Sequence, residues 1–314
     1  MRCGVTRQLP LDAKSLLAPY FDSVELYEKG RPLTQEELSH AISDKEVFIC
    51  QLTEPITQNI LEHANRLRFL ATFSTGVDHL DLKALKQRGI KVSHTPGVLT
   101  EATANLAWAL ILSCSRKLMP AQRYLQDGKF NGFLPSLFLG LALEQSTLGI
   151  VGMGKIGQAV AHRARAFGMK VIYFTRSSVE GVEGVSVSFE ELLEKSDVIS
   201  IHCPLTPHTK HLFNSKALSL MKSDAVLINT ARGPIVNEEA LVEHLKRNPN
   251  CFVGLDVFEN EPKVAPGLLE LPNALCVPHI GSASRWAREQ MARICIEDAM
   301  RFARGEKLQY EYSL

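Results

Sequence analysis

Residues 147–157 read Thr-Leu-Gly-Ile-Val-Gly-Met-Gly-Lys-Ile-Gly, an apolar run that leads directly into a G-x-G-x-x-G sequence. A helical pattern follows at Gln158–Phe167, and this order of strand, glycine loop and helix is typical of a dinucleotide-binding unit. Its glycines would permit a tight turn and a close approach of the backbone to a pyrophosphate, while the helix N-terminus offers amide N–H groups. The alternative is a glycine-rich turn without a ligand. The stretch predicts five cofactor-binding residues, Gly152, Gly154, Lys155, Ile156 and Gly157.

The next predicted strand, Lys170–Phe174, bears on the choice of dinucleotide. An acidic residue about 20 positions after the glycine loop would bind the ribose hydroxyls of NAD. This strand ends instead in Thr175, Arg176 and Ser177. Because a guanidinium binds phosphate bidentately, we expect all three residues to contact the cofactor and NADP(H) to be favoured over NAD(H). An exposed arginine without a ligand is the alternative at this position.

Short apolar runs alternate with helical patterns along the chain, which is typical of parallel sheets covered by helices. Before residue 100 the patterns predict strands at Val24–Tyr27, Val47–Cys50, Phe69–Phe73 and Ile90–Ser93 and helices at Thr34–Ile42, Thr57–His63 and Leu82–Arg88. After it they predict strands at Thr147–Val151, Lys170–Phe174, Val198–His202, Ala225–Asn229, Phe252–Asp256 and Ala274–Val277, with long helices at Glu101–Lys117 and Ser284–Phe302. We therefore predict an α/β fold, with a doubly wound Rossmann dinucleotide-binding domain at 98–283 and a smaller flavodoxin-like α/β substrate domain formed by 1–97 and 284–314.

Composition limits the classes of partner. The 314 residues are 45% hydrophobic and 22% charged, with a net charge of +1, so we expect neither nucleic acid nor a membrane surface as a partner. The seven cysteines are scattered, without the spacing of a zinc site, which favours reduced thiols and no metal. No leader pattern and no apolar run of about 20 residues is visible. We therefore expect a cytoplasmic protein.

Seven segments, taken together, resemble the D-isomer-specific 2-hydroxyacid dehydrogenase family over nearly the whole chain. They are Ser74–Asp81, Pro96–Glu101, the glycine loop, His202–Thr206, Asn229–Gly233, Leu255–Pro262 and Pro278–Ser282. Within the family the chain is most similar to glyoxylate/hydroxypyruvate reductases. The resemblance implies an enzyme that reduces a small 2-keto acid to the D-2-hydroxy acid with a hydride from NAD(P)H.

The resemblance also implies three catalytic residues. His279 would protonate the keto oxygen, because imidazole titrates near neutral pH. Glu261 would hydrogen-bond and orient the imidazolium, and Arg232 would bind the substrate carboxylate and polarise the carbonyl. Each residue could instead belong to an ordinary turn or surface loop. All three, however, follow the carboxyl ends of successive predicted strands, where a doubly wound sheet binds its ligand.

Further contacts are implied by the same resemblance. The turn at Gly76 and Val77 would receive the substrate carboxylate on backbone N–H groups, and Leu52 would touch the substrate. We expect Asp78 and His79 to be structural rather than an acid–base pair. The remaining expected cofactor contacts are Thr100, Pro204, Thr209, Thr230, Asp256 and Gly281.

Some features concern assembly and specificity. The apolar stretch Gly128–Leu143 would be an exposed patch on a monomer, and the family uses it between subunits, so we expect a homodimer. Trp286 stands where related chains often have a polar residue, and we hypothesise that it narrows the substrate pocket. Glu144–Ser146 stands where related chains usually have a Gly-Lys pair.

Three other functions remain as alternatives to the reduction of a small 2-keto acid. They are a phosphoglycerate dehydrogenase-type enzyme, a corepressor-like nucleotide-binding module, and a dehydrogenase for formate or phosphite.

Overall fold

The computed structural model describes residues 1–176, 179 and 181–314, which form two compact units. The first unit comprises Met1–Leu99 and Ala283–Leu314, and the second comprises Thr100–Ser282. Ser177, one of the predicted cofactor residues, lies outside the described residues. Across the part of the chain that is described, no helix has both the length and the apolar character needed to cross a membrane.

The first unit is built on a five-stranded parallel sheet. Its strands are β1 (Arg2–Val5), β2 (Ser23–Leu26), β3 (Val47–Gln51), β4 (Phe69–Phe73) and β5 (Lys91–Ser93). Their spatial order is β2-β1-β3-β4-β5, which is the order of the flavodoxin-like fold. The predicted fold class of this part is therefore confirmed.

Five helices cover this sheet. They are α1 (Ala13–Leu17), α2 (Gln35–Ile42), α3 (Gln58–His63), α4 (Leu82–Gln87) and α11 (Arg285–Ala303). Helix α2 begins with a complete capping box, in which Thr34 and Glu37 each bind the other's backbone N–H. Helix α11 packs its buried face, which includes Ala292 and Ile296, against the apolar core under β1, β3 and β4.

Strand β1 and helix α1 were not predicted. Gly4 interrupts the apolar run of β1, and glycine disfavours a strand when sequence is considered alone. In the fold, a Cβ at Gly4 would lie 2.7 Å from the Phe48 ring. The strand therefore depends on close packing against a residue more than forty positions away.

The second unit contains a seven-stranded parallel sheet. Its strands are β6 (Thr147–Val151), β7 (Lys170–Phe174), β8 (Val185–Ser186), β9 (Val198–Ile201), β10 (Val226–Asn229), β11 (Phe252–Leu255) and β12 (Ala274–Cys276). The order is β12-β11-β10-β9-β6-β7-β8. Strand order reverses at β6, whose neighbours are β7 and β9, and this doubly wound arrangement confirms the predicted Rossmann fold.

The helices of the second unit are α5 (Thr100–Ser115), α6 (Leu118–Gln126), α7 (Lys155–Ala166), α8 (Phe189–Lys195), α9 (Ser215–Leu220) and α10 (Glu238–Arg247). The predicted bounds of α5 and α7 differ from those in the structure, most clearly at two helix ends. Helix α7 starts at Lys155 rather than Gln158, because the end of the glycine loop is already helical. Helix α5 ends before Lys117, whose left-handed backbone (φ 51°) turns the chain into the unpredicted helix α6.

Alternate residues of these strands point to opposite faces of the sheet. Leu148 and Ile150 of β6 enter the core that packs against α5 and α7, whereas Val151 enters the core on the other face. Because both faces are buried, the strands are nearly continuous apolar runs. Most of the predicted site residues of this unit follow the carboxyl ends of these strands.

Candidate active site

The glycine loop is shaped by close backbone contacts. Gly152 has a φ of +97°, and a Cβ there would lie 2.6 Å from the backbone nitrogen of Cys203. A Cβ at Gly157 would lie 2.2 Å from the carbonyl oxygen of Gly152. Gly152 therefore requires glycine for both conformation and packing, whereas Gly157 requires it for packing alone.

Gly154 differs from these two glycines. Its φ of −74° is open to any residue, and a Cβ there would meet no described heavy atom within 4 Å. It precedes helix α7, and no described side chain caps that helix. The amides of Lys155, Ile156 and Gly157 thus begin a helix next to open space, the arrangement that binds phosphate groups.

A cavity of about 180 Å³ lies beside this loop, at the switch point of the sheet. Of the predicted cofactor residues, Gly152, Gly154, Thr175, Arg176, Pro204 and Thr209 line it. Burial raises the pKa of the Cys203 thiol in the cavity wall to about 11, and the positive charge of Arg176 opposes that rise. Arg176, which is exposed, therefore contributes positive charge to the lining of the cavity.

Other predicted cofactor residues lie at neighbouring strand ends of the same unit. The Thr230 hydroxyl is buried and has no hydrogen-bond partner among the described residues, as expected for a group that a ligand completes. Thr209 instead donates to the carbonyl oxygen of Pro204 at 2.7 Å, which fixes their turn. Thr100 is the first residue of α5. The open glycine loop and the unpaired Thr230 hydroxyl both fit a bound dinucleotide.

The three predicted catalytic residues follow β10, β11 and β12, which are adjacent in the sheet. His279 Nδ1 lies 2.8 Å from Glu261 Oε2, and each side chain is 29% exposed. The positive charge of Arg232 acts on the Glu261 carboxylate, and Asn229 Nδ2 donates to the Arg232 carbonyl oxygen at 2.9 Å. The fold thus brings the imidazole, the carboxylate and the guanidinium together.

Glu261 is ionised in this setting. Burial opposes ionisation of its carboxyl, but the hydrogen bond to His279 and the His279 charge lower the pKa below its usual value, with help from the Phe258 amide and from Arg232. Its Oε1 accepts from the Phe258 amide at 3.0 Å. One carboxylate oxygen is thus held by the loop, and the other is directed at the imidazole.

Asp256 holds the turn that carries His279. It is 1% exposed, and its two carboxylate oxygens accept from the amides of Ile280 (2.5 Å) and Gly281 (2.8 Å). His279 itself has a left-handed backbone with a φ of 52°, which is uncommon outside glycine. Burial raises the pKa of Asp256 to about 6, against the lowering effect of these amides and of His279. Asp256 and Gly281, predicted as cofactor contacts, therefore also stabilise this strained turn.

His202 is a second histidine near the sheet's carboxyl edge. Its Nε2 is 2.8 Å from Ser200 Oγ. Burial lowers the pKa of His202 to about 3, so this ring is neutral at physiological pH and cannot donate a proton as an imidazolium. His279 is therefore the better candidate for an acid.

The remaining predicted residues lie in the first unit. Gly76 and Val77 are half-buried after β4, and Leu52 is 37% exposed after β3. Ser74 Oγ donates to the Gly76 carbonyl oxygen at 2.7 Å. Because C=O and N–H point in opposite directions across a trans peptide, this bond turns the Val77 N–H away from Ser74. His79 Nε2 lies 2.9 Å from Thr72 Oγ1, and Trp286 of α11 is 60% exposed.

Several residues of the site were missed by the sequence reasoning. Met153, Phe174, His202, Cys203 and Leu212 line the cavity. Four of them lie within or directly next to predicted strands or the predicted glycine loop, so their position in the sequence could have identified them as cavity residues. Leu212 follows no strand, and only the fold brings it to the cavity.

Comparison with known proteins gives the family. Residues 108–281 match the family described as D-isomer specific 2-hydroxyacid dehydrogenase, NAD binding domain. The glyoxylate reductase of Thermococcus litoralis is 40% identical over 310 residues, which cover 96% of this chain and 93% of that protein. The glyoxylate reductase of Korarchaeum cryptofilum is 40% identical over 312 residues, covering 97% and 93%.

Solved structures agree with this assignment. The TT0316 protein from Thermus thermophilus superimposes with a TM-score of 0.93 at 43% identity, and all of both chains is covered. An NADPH-dependent glyoxylate/hydroxypyruvate reductase from Sinorhizobium meliloti, solved with NADP and malonate, gives a TM-score of 0.87 at 29% identity over 99% of this chain and 96% of that one. The chain belongs to the D-isomer specific 2-hydroxyacid dehydrogenase family, and it is an oxidoreductase that uses a nicotinamide dinucleotide to interconvert 2-keto and 2-hydroxy acids.

Proposed function

We propose that this enzyme reduces a small 2-keto acid of the glyoxylate or hydroxypyruvate type to the D-2-hydroxy acid, with NADPH as the favoured donor. The observation that carries the proposal is the 2.8 Å pair between His279 and Glu261, which lies within the field of Arg232 at the carboxyl ends of adjacent strands. The relatives that are named glyoxylate reductase support the substrate class.

The roles of the three side chains follow from their chemistry. When bound, the nicotinamide supplies the hydride that the keto carbon accepts. His279 donates a proton to the keto oxygen as negative charge develops there, and it accepts the proton in the reverse direction. Glu261 holds Nδ1–H, which leaves Nε2 for the substrate. Arg232 binds the substrate carboxylate and stabilises the charge on the oxygen.

The dinucleotide would be held along the carboxyl edge of the second unit. The open Cβ direction at Gly154 and the first amides of α7 suit the pyrophosphate. The unpaired hydroxyl of Thr230 suits a polar group of the ligand. We assign cofactor contacts to Thr100, Gly152, Gly154, Lys155, Ile156, Gly157, Thr175, Arg176, Ser177, Pro204, Thr209, Thr230, Asp256 and Gly281.

The preference for NADPH rests on Arg176. Arg176 lines the cavity, and Thr175 beside it offers a hydroxyl rather than a carboxylate. A 2′-phosphate would gain a charge-assisted contact there, whereas the NAD ribose would lack its usual acidic partner. The neighbours solved with NADP or NADPH support this choice.

The first unit is proposed to bind the substrate. The Val77 N–H is turned away from Ser74 by the bond that Ser74 makes to the Gly76 carbonyl. With Gly76 it provides backbone donors of the kind that bind a carboxylate. Leu52, which is 37% exposed, would offer apolar contact.

We also propose a homodimer. Helix α6 and the segment after it expose seven large apolar side chains: Leu118, Met119, Leu125, Phe130, Phe133, Leu134 and Leu139. Phe133 alone is 87% exposed. So many exposed large apolar side chains within one stretch of chain are typical of an interface between subunits. Light scattering should give twice the monomer mass for the parent, and a monomer mass at all concentrations would contradict the dimer.

The deciding experiment is steady-state kinetics with glyoxylate, hydroxypyruvate and pyruvate, each with NADPH and with NADH. We expect turnover of the small keto acids, with the higher kcat/KM for NADPH. His279→Gln should lose at least about a hundredfold in kcat, while His63→Gln, at an exposed histidine of α3, should behave as the parent. Absence of turnover with every keto acid, or full activity of His279→Gln, would contradict the proposal.

A further inference from the structure

The loop between β11 and β12 is fastened on both sides of Glu261 to one side chain. That side chain is Glu238, the first residue of α10, which is only 4% exposed. Its Oε1 accepts from the Glu259 amide at 2.6 Å, and its Oε2 accepts from the Ala265 amide at 3.1 Å. The two donors flank Glu261, so a single carboxylate closes the base of the loop.

The attachment is reciprocal. The Glu238 amide donates to Glu259 Oε2 at 3.2 Å. The other oxygen of the Glu259 carboxylate, Oε1, lies 2.6 Å from His211 Nε2. Residues 238 and 259 thus bind each other's backbone, and His211 holds the second carboxylate in place.

The loop also rests directly on the turn that follows Arg232. A Cβ at Gly233 would lie 1.9 Å from both the carbonyl carbon and the carbonyl oxygen of Phe258. The Phe258 amide in turn binds Glu261 Oε1 at 3.0 Å. A displacement at the base of the loop is therefore transmitted to the Glu261 carboxylate through neighbouring backbone, with little space to absorb it.

Helix α10 does not need Glu238 for its own N-terminus. Asn237 already caps the helix, since its Oδ1 accepts from the Ala240 amide at 2.9 Å. Burial raises the pKa of Glu238, and the carboxylates of Glu259 and Glu261 raise it further, against the lowering effect of the two loop amides. A carboxylate in such a position is unfavourable by itself. The hydrogen bonds from the Glu259 and Ala265 amides offset this cost and account for a buried carboxylate at this position.

We propose that Glu238 is a positioning residue, which fixes the loop so that Glu261 meets His279 in the orientation needed for proton transfer. The proposal rests on the proposed roles of His279 and Glu261. Glu238 itself touches neither His279 nor the substrate in this account, and its effect passes through Glu261.

The test is a double-mutant cycle with Glu238→Gln and Glu261→Ala. Glutamine keeps one accepting oxygen but places an NH₂ group against a loop amide. Glu238→Gln should lower kcat about tenfold or more, because small displacements of catalytic groups have effects up to about a hundredfold. The Kd for NADPH should stay at the parent value, since Glu238 does not line the cavity. Glu239→Gln, at the exposed neighbour in α10, is the matched control and should match the parent.

A merely structural role would lower stability without coupling to Glu261. In the Glu261→Ala background, which has no side chain to position, adding Glu238→Gln should change kcat less than twofold, because a residue that acts through another is silent once its partner is gone. Additive effects would overturn the proposal, and so would a parent-like kcat for Glu238→Gln when Glu261→Ala is impaired. A parent-like kcat for Glu261→Ala would instead overturn the proposed catalytic roles, and with them this inference.

A second variant guards against loss of folding. Glu238→Asp keeps the charge but is shorter, so it should reach one loop amide and recover part of the kcat lost in Glu238→Gln. Hydrogen exchange over residues 258–265 should quicken in Glu238→Gln and return toward the parent rate in Glu238→Asp. Unchanged exchange in Glu238→Gln would overturn the claim that this side chain fastens the loop.

Discussion

Replacing Glu261 with glutamine is the most informative change to the site. The amide oxygen can still accept a hydrogen bond from His279 Nδ1–H, so the 2.8 Å contact can persist, but the negative charge is lost. A hydrogen bond to a charged partner contributes about 1.5–3 kcal/mol, and a neutral one about 1 kcal/mol. The difference between the two is about 0.5–2 kcal/mol. Since about 1.4 kcal/mol is a tenfold change in rate, and the pair is only 29% exposed, Glu261→Gln should lower kcat/KM about two- to thirtyfold.

The pH dependence tests whether the charge of Glu261 is responsible. Burial opposes ionisation of Glu261, but the hydrogen bond to His279 and the charges of His279 and Arg232 lower its pKa below the usual 4.5, so the charge is present throughout pH 5 to 9. The difference in kcat/KM between the parent and Glu261→Gln should therefore persist over that whole range. The assay is kcat/KM from pH 5 to 9 for Glu261→Gln, with Glu239→Gln as a charge-matched control. An unchanged rate and an unchanged profile would refute the assignment of Glu261 as the partner of His279.

Three further predictions concern the rest of the second unit. Gly154→Ala should unfold at the same urea concentration as the parent but bind NADPH at least about tenfold more weakly, because its Cβ would point into open space. Gly157→Ala should unfold at a lower urea concentration, because its Cβ would lie 2.2 Å from a backbone oxygen. Arg176→Gln should raise the Kd for NADPH about tenfold and leave that for NADH unchanged, as measured by fluorescence titration. Burial raises the pKa of Asp256 from 3.8 to about 6, so its contribution to stability is greatest below about pH 4 and declines by up to about 3 kcal/mol as pH rises through 6. Urea unfolding of the parent should show this decline relative to Asp256→Asn, and equal pH slopes would contradict it.

Much of the fold could be predicted from the sequence because its strands are buried on both faces. Phe69–Phe73, Thr147–Val151 and Lys170–Phe174 were predicted with the bounds that the structure gives them. Apolar runs of this length, separated by helical patterns, leave few alternatives to a parallel sheet. Strand β8, by contrast, is two residues long and exposed at the edge of its sheet, so it carries no apolar signal.

The candidate site could be predicted only in part. Arg232, Glu261 and His279 stand at strand ends within motifs that the family shares, and their type and place in the chain gave the hypothesis. Their distances depend on strand order, which local sequence does not encode. Glu238 was missed because an acidic residue at the start of a helix is ordinary, and its partners lie 21 and 27 residues away.

The most direct test of the account is a crystal structure with NADP⁺ and oxamate, an unreactive analogue of a 2-keto acid. We predict that His279 Nε2 and the Arg232 guanidinium each lie about 3 Å from the analogue, with His279 Nδ1 still bound to Glu261. An analogue bound elsewhere, or an imidazole turned away from it, would contradict the assignment of His279 as the acid.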